Sequence, residues 1–261
     1  DLRPPALIRN AAELLAPDDT SYNAAISACE KGAQWRRALV LLGDMRGALV
    51  APSAVSCNAA MSACEKGAQW QRALALFGAM PGLSLAPDVF SCNTAITACE
   101  KGGQWQRALA LFDSMPRRSV PRDAISYTCV LDAVFDRRAG HAVFLSALEA
   151  NAFPDLFMAA DGGPTAAVYV LDLHDLTAGA AVMVTAWWLM QLPRELVAAP
   201  WRRWVRIVTG FGKSLADSRT SVVKAAVEEF LDAEGVPWRE IPETPGCLSL
   251  PAASVRAYER R

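Results

Sequence analysis

Asp172 and His174 are the side chains of this sequence best suited to proton transfer. They lie two residues apart in the run Val170-Leu171-Asp172-Leu173-His174, whose composition predicts a strand. Alternate residues of a strand leave the same face, so the carboxylate and the imidazole point together while Leu171 and Leu173 point into a core. An imidazole titrates near neutrality and can shuttle a proton, and a neighbouring carboxylate can orient it or hold a divalent ion.

A second stretch suited to chemistry is the loop TGFGK over residues 209–213, which follows the predicted strand WVRIVT. Backbone N–H groups of such a loop and the Lys213 ammonium are suited to holding a phosphate. It is not a P-loop, because Ile207 stands where that motif requires glycine. The predicted phosphate-binding residues are Thr209, Gly210, Gly212, Lys213, Arg202 and Arg203.

Internal repetition dominates the first half of the chain. The segment SYNAAISACEKGAQWRRAL from Ser21 returns almost unchanged from Ser56 and from Ser91, a period of 35 residues. A decayed fourth copy begins near Ala124, and residues 1–18 look like the tail of an earlier copy. The predicted units are 19–53, 54–88, 89–123 and 124–155.

Each unit is predicted to form two helices. Apolar positions recur at helical spacing on both sides of a glycine, such as Gly67, and a Pro-Asp pair such as Pro87-Asp88 closes the unit. Neither helix can bury its face alone, so the units must stack into an α-solenoid with a concave surface. The repeated cysteines are expected to be reduced, buried thiols, and Trp35, Trp70 and Trp105 are expected to pack between helices.

The pattern changes after the fourth unit. A linker is predicted over 156–166, and strands alternate with helices over 167–261, which predicts a small α/β two-layer sandwich. The uncharged run 176–193 is too short and too polar for a membrane span, so no membrane partner is expected. A net charge of −1 and a pI near 6.2 exclude a protein that coats nucleic acid by bulk electrostatics, so any nucleic acid must be held locally.

The 35-residue hairpins resemble the pentatricopeptide repeat. Tetratricopeptide repeats have a period of 34 residues and a Trp, Leu-Gly and Tyr signature that is missing here. The resemblance implies that each unit reads one base of single-stranded RNA through its fifth and closing residues. The implied readers are Asn23 with Ser53, Asn58 with Asp88, Asn93 with Asp123, and Thr128 with Asp155 or Met158, which together imply the core 5′-CUUG-3′.

The same resemblance implies that apolar second positions sandwich the bases. These are Val55, Phe90 and Ile125, with Thr20 at the equivalent place in the first unit. The alternative interpretation is that an Asn near the start of a helix only caps that helix.

The C-terminal motifs resemble the small MutS-related (Smr) family, whose fold is similar to the C-terminal domain of bacterial translation initiation factor 3. The resemblance rests on the Leu171–His174 segment and on the Thr209–Gly212 loop, and it departs at Asp175, where the family usually has Gly. It implies RNA cleavage, with Asp172, His174 and Lys213 as the catalytic set. Metal assistance, for example by Mg²⁺, slow metal-free cleavage and no cleavage all stay open.

The two resemblances together imply an RNA-processing factor of a chloroplast or mitochondrion. The hairpins would select single-stranded RNA and the C-terminal domain would bind or cleave it nearby. The alternative is a non-catalytic RNA-binding protein that stabilises transcripts or promotes their translation. A protein scaffold is disfavoured by the repeated Asn and Asp positions.

Overall fold

The computed structural model describes residues 17–135, 137–159, 168–198, 204–210, 221–242, 244 and 246–258. The chain divides into two compact units, Asp1–Arg122 and Asp123–Arg261. The first is helical where it is described, and the second combines helices with a sheet.

Three helical hairpins make up the described part of the first unit. Their first helices are α1 (Asp19–Lys31), α3 (Ala54–Lys66) and α5 (Val89–Lys101), and their second helices are α2 (Trp35–Gly47), α4 (Trp70–Ala79) and α6 (Trp105–Ser114). Short 3₁₀ turns, Pro81–Leu83 and Pro116–Arg118, follow α4 and α6. The first helices begin at the residues where the repeat pattern places the start of each unit.

Small side chains line the contact between neighbouring first helices. Ala60, Ala63 and Cys64 of α3 are fully buried, and α3 packs against both α1 and α5. Burial raises the pKa of the Cys64 thiol to about 11, so it packs as a neutral, small apolar group. The seven cysteines, all within the described residues, form no disulfide; Cys57, Cys64, Cys92 and Cys99 are buried as the sequence predicts, whereas Cys29, Cys129 and Cys247 are half-buried.

The tryptophan that begins a second helix lies directly on a glycine of the next hairpin. A Cβ added to Gly67 would lie 2.4 Å from Cδ1 of Trp35, and one added to Gly102 would lie 2.3 Å from Cδ1 of Trp70. These distances are far below van der Waals contact, so only glycine lets the indole approach the end of the neighbouring helix. The predicted packing role of Trp35 and Trp70 is confirmed.

Charged side chains repeat with the same period across the hairpin junctions. Arginines of the following hairpin cover the indole rings, and glutamates of one first helix pair with lysines of the next. The pairs are Arg72 with Trp35 (Cζ to ring centroid 4.7 Å), Arg107 with Trp70 (5.0 Å), Lys66 with Glu30 (Nζ to Oε1 2.8 Å) and Lys101 with Glu65.

The second unit begins with a fourth hairpin, α7 (Ala124–Val134) and α8 (Arg138–Glu149), and continues into a sheet. The strands are β1 (Phe157–Ala159), β2 (Val168–Asp172), β3 (Trp204–Val208), β4 (Arg239–Glu240) and β5 (Cys247–Pro251), and the helices are α9 (Ala178–Ala198), α10 (Val222–Ala233) and α11 (Ala252–Tyr258). The strand order is β1-β2-β3-β5-β4, with β2 and β3 parallel and the other neighbours antiparallel. One face is a fully buried core of Leu171, Val205, Ile207, Leu248 and Leu250.

A half-buried carboxylate joins the fourth hairpin to the sheet region. Asp132 of α7 accepts hydrogen bonds from Thr177 Oγ1 (2.5 Å) and from Ala180 N (3.2 Å) at the start of α9. Burial raises the pKa of Asp132, although these hydrogen bonds act in the opposite direction. Phe144 of α8 meets Trp187 of α9 edge-on, with ring centroids 5.2 Å apart. The hairpin and the sheet region therefore pack as one body across the segment that the sequence predicts to be a linker.

Three elements differ from the sequence prediction. β1 lies inside the predicted linker 156–166, and β4 and α11 lie where no element is predicted. β1 and β4 are three and two residues long, so neither has a period to detect, and each depends on pairing with a longer strand.

The uncharged run 176–193 forms the first part of α9 from Ala178 onwards. Its residues Ala180, Ala181, Val184 and Leu189 are fully buried or nearly so within the second unit. Among the described residues, no helix has both the length and the apolar composition that a membrane span requires.

The indole–glycine contact predicts a specific loss of stability. Gly67→Ala and Gly102→Ala should each lower the free energy of unfolding by about 1–3 kcal/mol, because the new methyl group must displace a packed indole. Thermal and urea unfolding followed by circular dichroism measures this loss. Gly32→Ala is the matched control, because a Cβ at Gly32 finds its nearest neighbour, Gln34 Cγ, at an ordinary 3.5 Å. Equal losses in all three variants would contradict the role of the indole.

Candidate nucleic-acid interface

The closing residue of each predicted unit caps the first helix of the following hairpin. Ser53, Asp88 and Asp123 are the N-cap residues of α3, α5 and α7, and each side chain accepts a hydrogen bond from the backbone N–H three residues on. In return, the side chains of Ser56, Ser91 and Ser126 accept a hydrogen bond from the backbone N–H of the cap residue, which completes a capping box. The cap holds the closing residue in one orientation.

The fifth residue of each predicted unit lies a full turn inside the first helix of its hairpin. Asn58, Asn93 and Thr128 are each only 8% exposed, so neighbouring residues enclose most of each side chain. The N-cap positions belong to the closing residues, so the alternative interpretation of the Asn residues as helix caps is wrong.

Asn58, Asp88 and Ser91 form one hydrogen-bonded network between the second and third hairpins. Asn58 Nδ2 donates to Asp88 Oδ1 (3.4 Å), while Ser91 Oγ lies 2.7 Å from Asn58 Oδ1 and 2.8 Å from Asp88 Oδ1. Partial burial would raise the pKa of Asp88, but hydrogen bonds from Ser91 N, Ser91 Oγ and Asn58 outweigh it and lower the pKa. An acceptor-only carboxylate beside Asn58 keeps Nδ2 turned towards it and leaves the second amide hydrogen for another acceptor.

The first hairpin has a different arrangement. Ser56 Oγ donates to the backbone carbonyl of its own cap residue, Ser53 (2.9 Å), and not to the preceding asparagine. Asn23 Oδ1 is buried and has no hydrogen-bond partner among the described residues. Replacing Asp by Ser at the closing position therefore changes how the fifth residue is held.

Large apolar side chains stand exposed at the second position of three first helices. Val55 is 62%, Phe90 55% and Ile125 61% exposed, whereas Cys57 and Cys92, two residues further along the helix, are buried. Such side chains offer apolar surface against which a flat ring can pack, and Phe90 can also stack on one. Thr20 is exposed at the same position of α1.

The fourth hairpin departs from this pattern. Thr128 Oγ1 donates to the carbonyl of Ala124 in its own helix (2.7 Å). Its predicted partner Asp155 is exposed and lines a cavity that also contains His174 and Asp172. No hydrogen bond joins Thr128 to Asp155 in the described part of the chain.

His174 is held between two carboxylates at the carboxyl end of β2. Its Nδ1 lies 2.6 Å from Asp172 Oδ1, and its Nε2 lies 3.0 Å from Asp175 Oδ2. The hydrogen bond to Asp172 is the largest influence that raises the pKa of His174, and the charges of Asp172, Asp175 and Asp155 add to it against partial desolvation. The predicted Asp172–His174 pair is therefore formed, and Asp175 engages the second ring nitrogen.

The loop after β3 meets the histidine. A Cβ added to Gly210, which has φ +73°, would lie 3.0 Å from His174 Cβ. Thr209 is buried and donates its hydroxyl to the Gly246 carbonyl (2.9 Å), so this side chain anchors the loop instead of lying open to a phosphate. The remaining predicted phosphate ligands, Gly212, Lys213, Arg202 and Arg203, lie outside the described residues.

A cavity of about 200 Å³ lies beside this pair, with Phe153, Pro154 and Asp155 on its other side. Among the described residues, no three His, Cys, Asp or Glu side chains are arranged to hold a metal ion. The serines of the capping boxes and Asp155 at this cavity were not predicted from the sequence in these positions. Ser56, Ser91 and Ser126 could have been noticed, because serine recurs at one position of every unit.

Comparison with known families and structures identifies the hairpins. A family model described as "PPR repeat family" matches residues 87–136, and one described as "PPR repeat" matches residues 20–48. No curated protein sequence matches the chain. The hairpins are pentatricopeptide repeats, as the sequence predicts.

Solved structures show the same helical fold. The crystal structure of the pentatricopeptide repeat protein PPR10 in complex with an 18-nt psaJ RNA element aligns with a TM-score of 0.52 and 18% identity, over 83% of this chain and 28% of that chain. PPR10 from maize aligns with a TM-score of 0.48 and 20% identity, over 73% of this chain and 25% of that chain. The chain therefore spans little more than a quarter of the length of PPR10.

The two carboxylates beside His174 predict a measurable titration. Asp172→Asn should lower the pKa of His174 more than Asp175→Asn does, because Asp172 supplies both the hydrogen bond and a charge. Nuclear magnetic resonance titration of the ring protons measures both shifts, and the chain has only two histidines to assign. Since the folded-state pKa is raised, the stability from this pairing is complete below the ordinary histidine pKa and is lost as pH rises through the raised value. An unchanged pKa in Asp172→Asn would contradict the pairing.

Proposed function

We propose, from the premise that the hairpins are pentatricopeptide repeats, that this chain binds single-stranded RNA and selects its sequence base by base. The observation that carries the proposal is the Asn58–Asp88–Ser91 network beside exposed Val55 and Phe90. Its fold resembles that of PPR10, whose structure contains a bound RNA element.

The network has the chemistry that reading a base requires. Asp88 and Ser91 fix the amide of Asn58, so its remaining N–H is presented without loss of side-chain entropy on binding. An N–H donor matches the carbonyl oxygen on the Watson–Crick edge of uracil. The exposed second-position side chains supply apolar surfaces on which each base stacks.

The proposed order of bases follows the pairs along the chain. Asn23 with Ser53 reads C, Asn58 with Asp88 and Asn93 with Asp123 read U, and Thr128 with Asp155 reads G, in accordance with the pairing rules that the resemblance implies. The core is therefore 5′-CUUG-3′. The first U position has the most direct support, because Asn58 and Asp88 form a hydrogen bond, and the second U is assigned from the same residue pair, Asn93 with Asp123.

A substitution at Asn58 tests base reading. Asn58→Thr should move the preference at the second base from U to G and leave the other three positions unchanged. A mismatched base should cost about 1–3 kcal/mol, by analogy with other nucleic-acid sites. Competition between short RNAs that differ only at that base measures the change.

Thermal unfolding of Asn58→Thr controls for loss of the Ser91 hydrogen bond, and Asn23→Thr is the matched variant, which should move the preference at the first base alone. If the wild type shows no preference for U at the two central positions, base reading by these residues is wrong.

A second candidate function is cleavage of the bound RNA at His174. The observation in its favour is the 2.6 Å contact with Asp172, which orients a half-exposed imidazole beside a cavity. Asp175 is 73% exposed, so it can leave Nε2 and make that nitrogen available for proton transfer. Lys213, the resemblance to Smr proteins and a chloroplast or mitochondrial location complete this proposal, and a Mg²⁺ ion is an optional cofactor in it.

Loss of the imidazole separates cleavage from binding. His174→Ala should abolish cleavage of labelled RNA, with or without Mg²⁺, and should leave RNA affinity nearly unchanged, because the readers lie on the hairpins. His141→Ala is the control, since His141 is the only other histidine and is exposed on α8. If wild-type protein leaves RNA intact under both conditions, the chain binds RNA without cleaving it, and the second candidate is wrong.

A further inference from the structure

The sheet of the second unit has a second face, opposite the core of Val205, Ile207 and Leu248. Residues paired in register point to the same face, and Ser249 pairs with Arg206 on one side and with Arg239 on the other. These three side chains therefore form a row across β3, β5 and β4. Trp204 stands on the same face, two residues before Arg206.

The row opens into a cavity of about 440 Å³ that we call the Arg206 pocket. Its lining residues are Trp204, Arg206, Arg239, Glu240, Ile241, Pro242 and Ser249. It is separate from the cavity beside His174, with which it shares no lining residue.

The charge in the Arg206 pocket is positive. Arg206 is exposed and forms no ion pair with any described residue, and Arg239 lies over the Trp204 indole with its Cζ 4.0 Å from the ring centroid. The one carboxylate in the lining, Glu240, pairs with Lys224 (Nζ to Oε1 2.6 Å), which also lies 3.7 Å from Glu228 Oε1 outside the lining. Two guanidinium groups are therefore left to meet an anion.

Ser249 supplies a buried polar group at the base of the pocket. It is only 4% exposed, and it lies in the lining between Arg206 and Arg239. A hydroxyl can both donate and accept a hydrogen bond, so it can bond to a polar group of a ligand that the two arginines hold.

We propose that the Arg206 pocket binds one nucleotide of the RNA strand, outside the bases that the hairpins read. The phosphate pairs with the guanidinium of Arg206, whose parallel donors match phosphate oxygens. The base stacks on the guanidinium of Arg239, which itself lies over the Trp204 indole, and the Ser249 hydroxyl forms a hydrogen bond with the sugar or the base. A phosphorylated peptide could pair its phosphate with Arg206, but its phosphate group brings no base to stack on Arg239 and Trp204. For its ligand, the assignment rests on the proposed RNA binding.

The test uses the full chain and two RNAs, the four-base core alone and the same core flanked on both sides by unstructured uridines. Arg206→Gln and Arg239→Gln should each weaken binding of the flanked RNA by about ten-fold, and Arg206→Gln should reduce the slope of its salt dependence by about one. Both variants should bind the short core as the wild type does. Arg37→Gln is the matched control, because Arg37 is an exposed arginine of the first unit without a partner among the described residues.

A crosslink locates the contact directly. 4-Thiouridine in the flank should crosslink to a peptide that contains β3, and Arg206→Gln should abolish that crosslink. Arg206 has no partner to lose, so unchanged thermal unfolding is expected to accompany these effects.

Other outcomes overturn the proposal. Equal weakening for both RNAs, or weakening for neither, shows that Arg206 does not hold a nucleotide beyond the core. If uridine monophosphate alone binds the wild type tightly and depends on Arg206, the pocket serves a free nucleotide and the assignment to RNA is wrong. If the short core is not bound at all, base reading by the hairpins is wrong. The pocket is then tested with an oligouridine strand, whose affinity should still fall in Arg206→Gln if the pocket holds a nucleotide.

Discussion

The contact between an indole and a glycine without a Cβ is the constraint on which the first unit depends. Trp35 can lie on Gly67, and Trp70 on Gly102, only because no methyl group separates the ring from the end of the neighbouring helix. This contact, together with the small residues of the first helices, fixes how far each hairpin is from the next and how it is turned. The lysine–glutamate pairs repeat at that spacing but do not create it, since an ion pair whose lysine is open to solvent contributes little stability.

The spacing gives Asp88 two roles at once. As an N-cap it completes the third hairpin, and as a neighbour of Asn58 it orients an amide of the second. A residue that serves both purposes ties the position of the Asn58 amide, the proposed base reader, to the stability of the fold. The comparison with Ser53 shows the consequence, because a serine cap leaves the Ser56 hydroxyl on the backbone and Asn23 Oδ1 without a partner among the described residues.

In the second unit, Asp132 has the comparable structural role. It accepts hydrogen bonds at the start of α9 while belonging to the fourth hairpin, so hairpin and sheet region form one packed body. As a result, Asp155, at the closing position of the last repeat, lies beside the His174 cavity. The Arg206 pocket lies on a different set of strands, so the unit presents two chemically distinct surfaces, one acidic around an imidazole and one basic around an indole.

The sequence by itself determined the hairpins, because a 35-residue repeat with helical spacing and glycine stops is a local signal that needs no knowledge of neighbours. It also placed the main strands and helices after residue 167, and it predicted that Asp172 and His174 act together. The strand it predicted for both is shorter, because β2 ends at Asp172 and the turn that follows brings the imidazole to the carboxylate. Only the tertiary structure decided which side chains meet across elements. The Asn58–Ser91 bond joins different hairpins, β1 and β4 exist through pairing with longer strands, and the row of Arg206, Ser249 and Arg239 arises from strand register. Such contacts depend on how separate elements pack, and the periodicity of a single segment does not show which other segment it packs against.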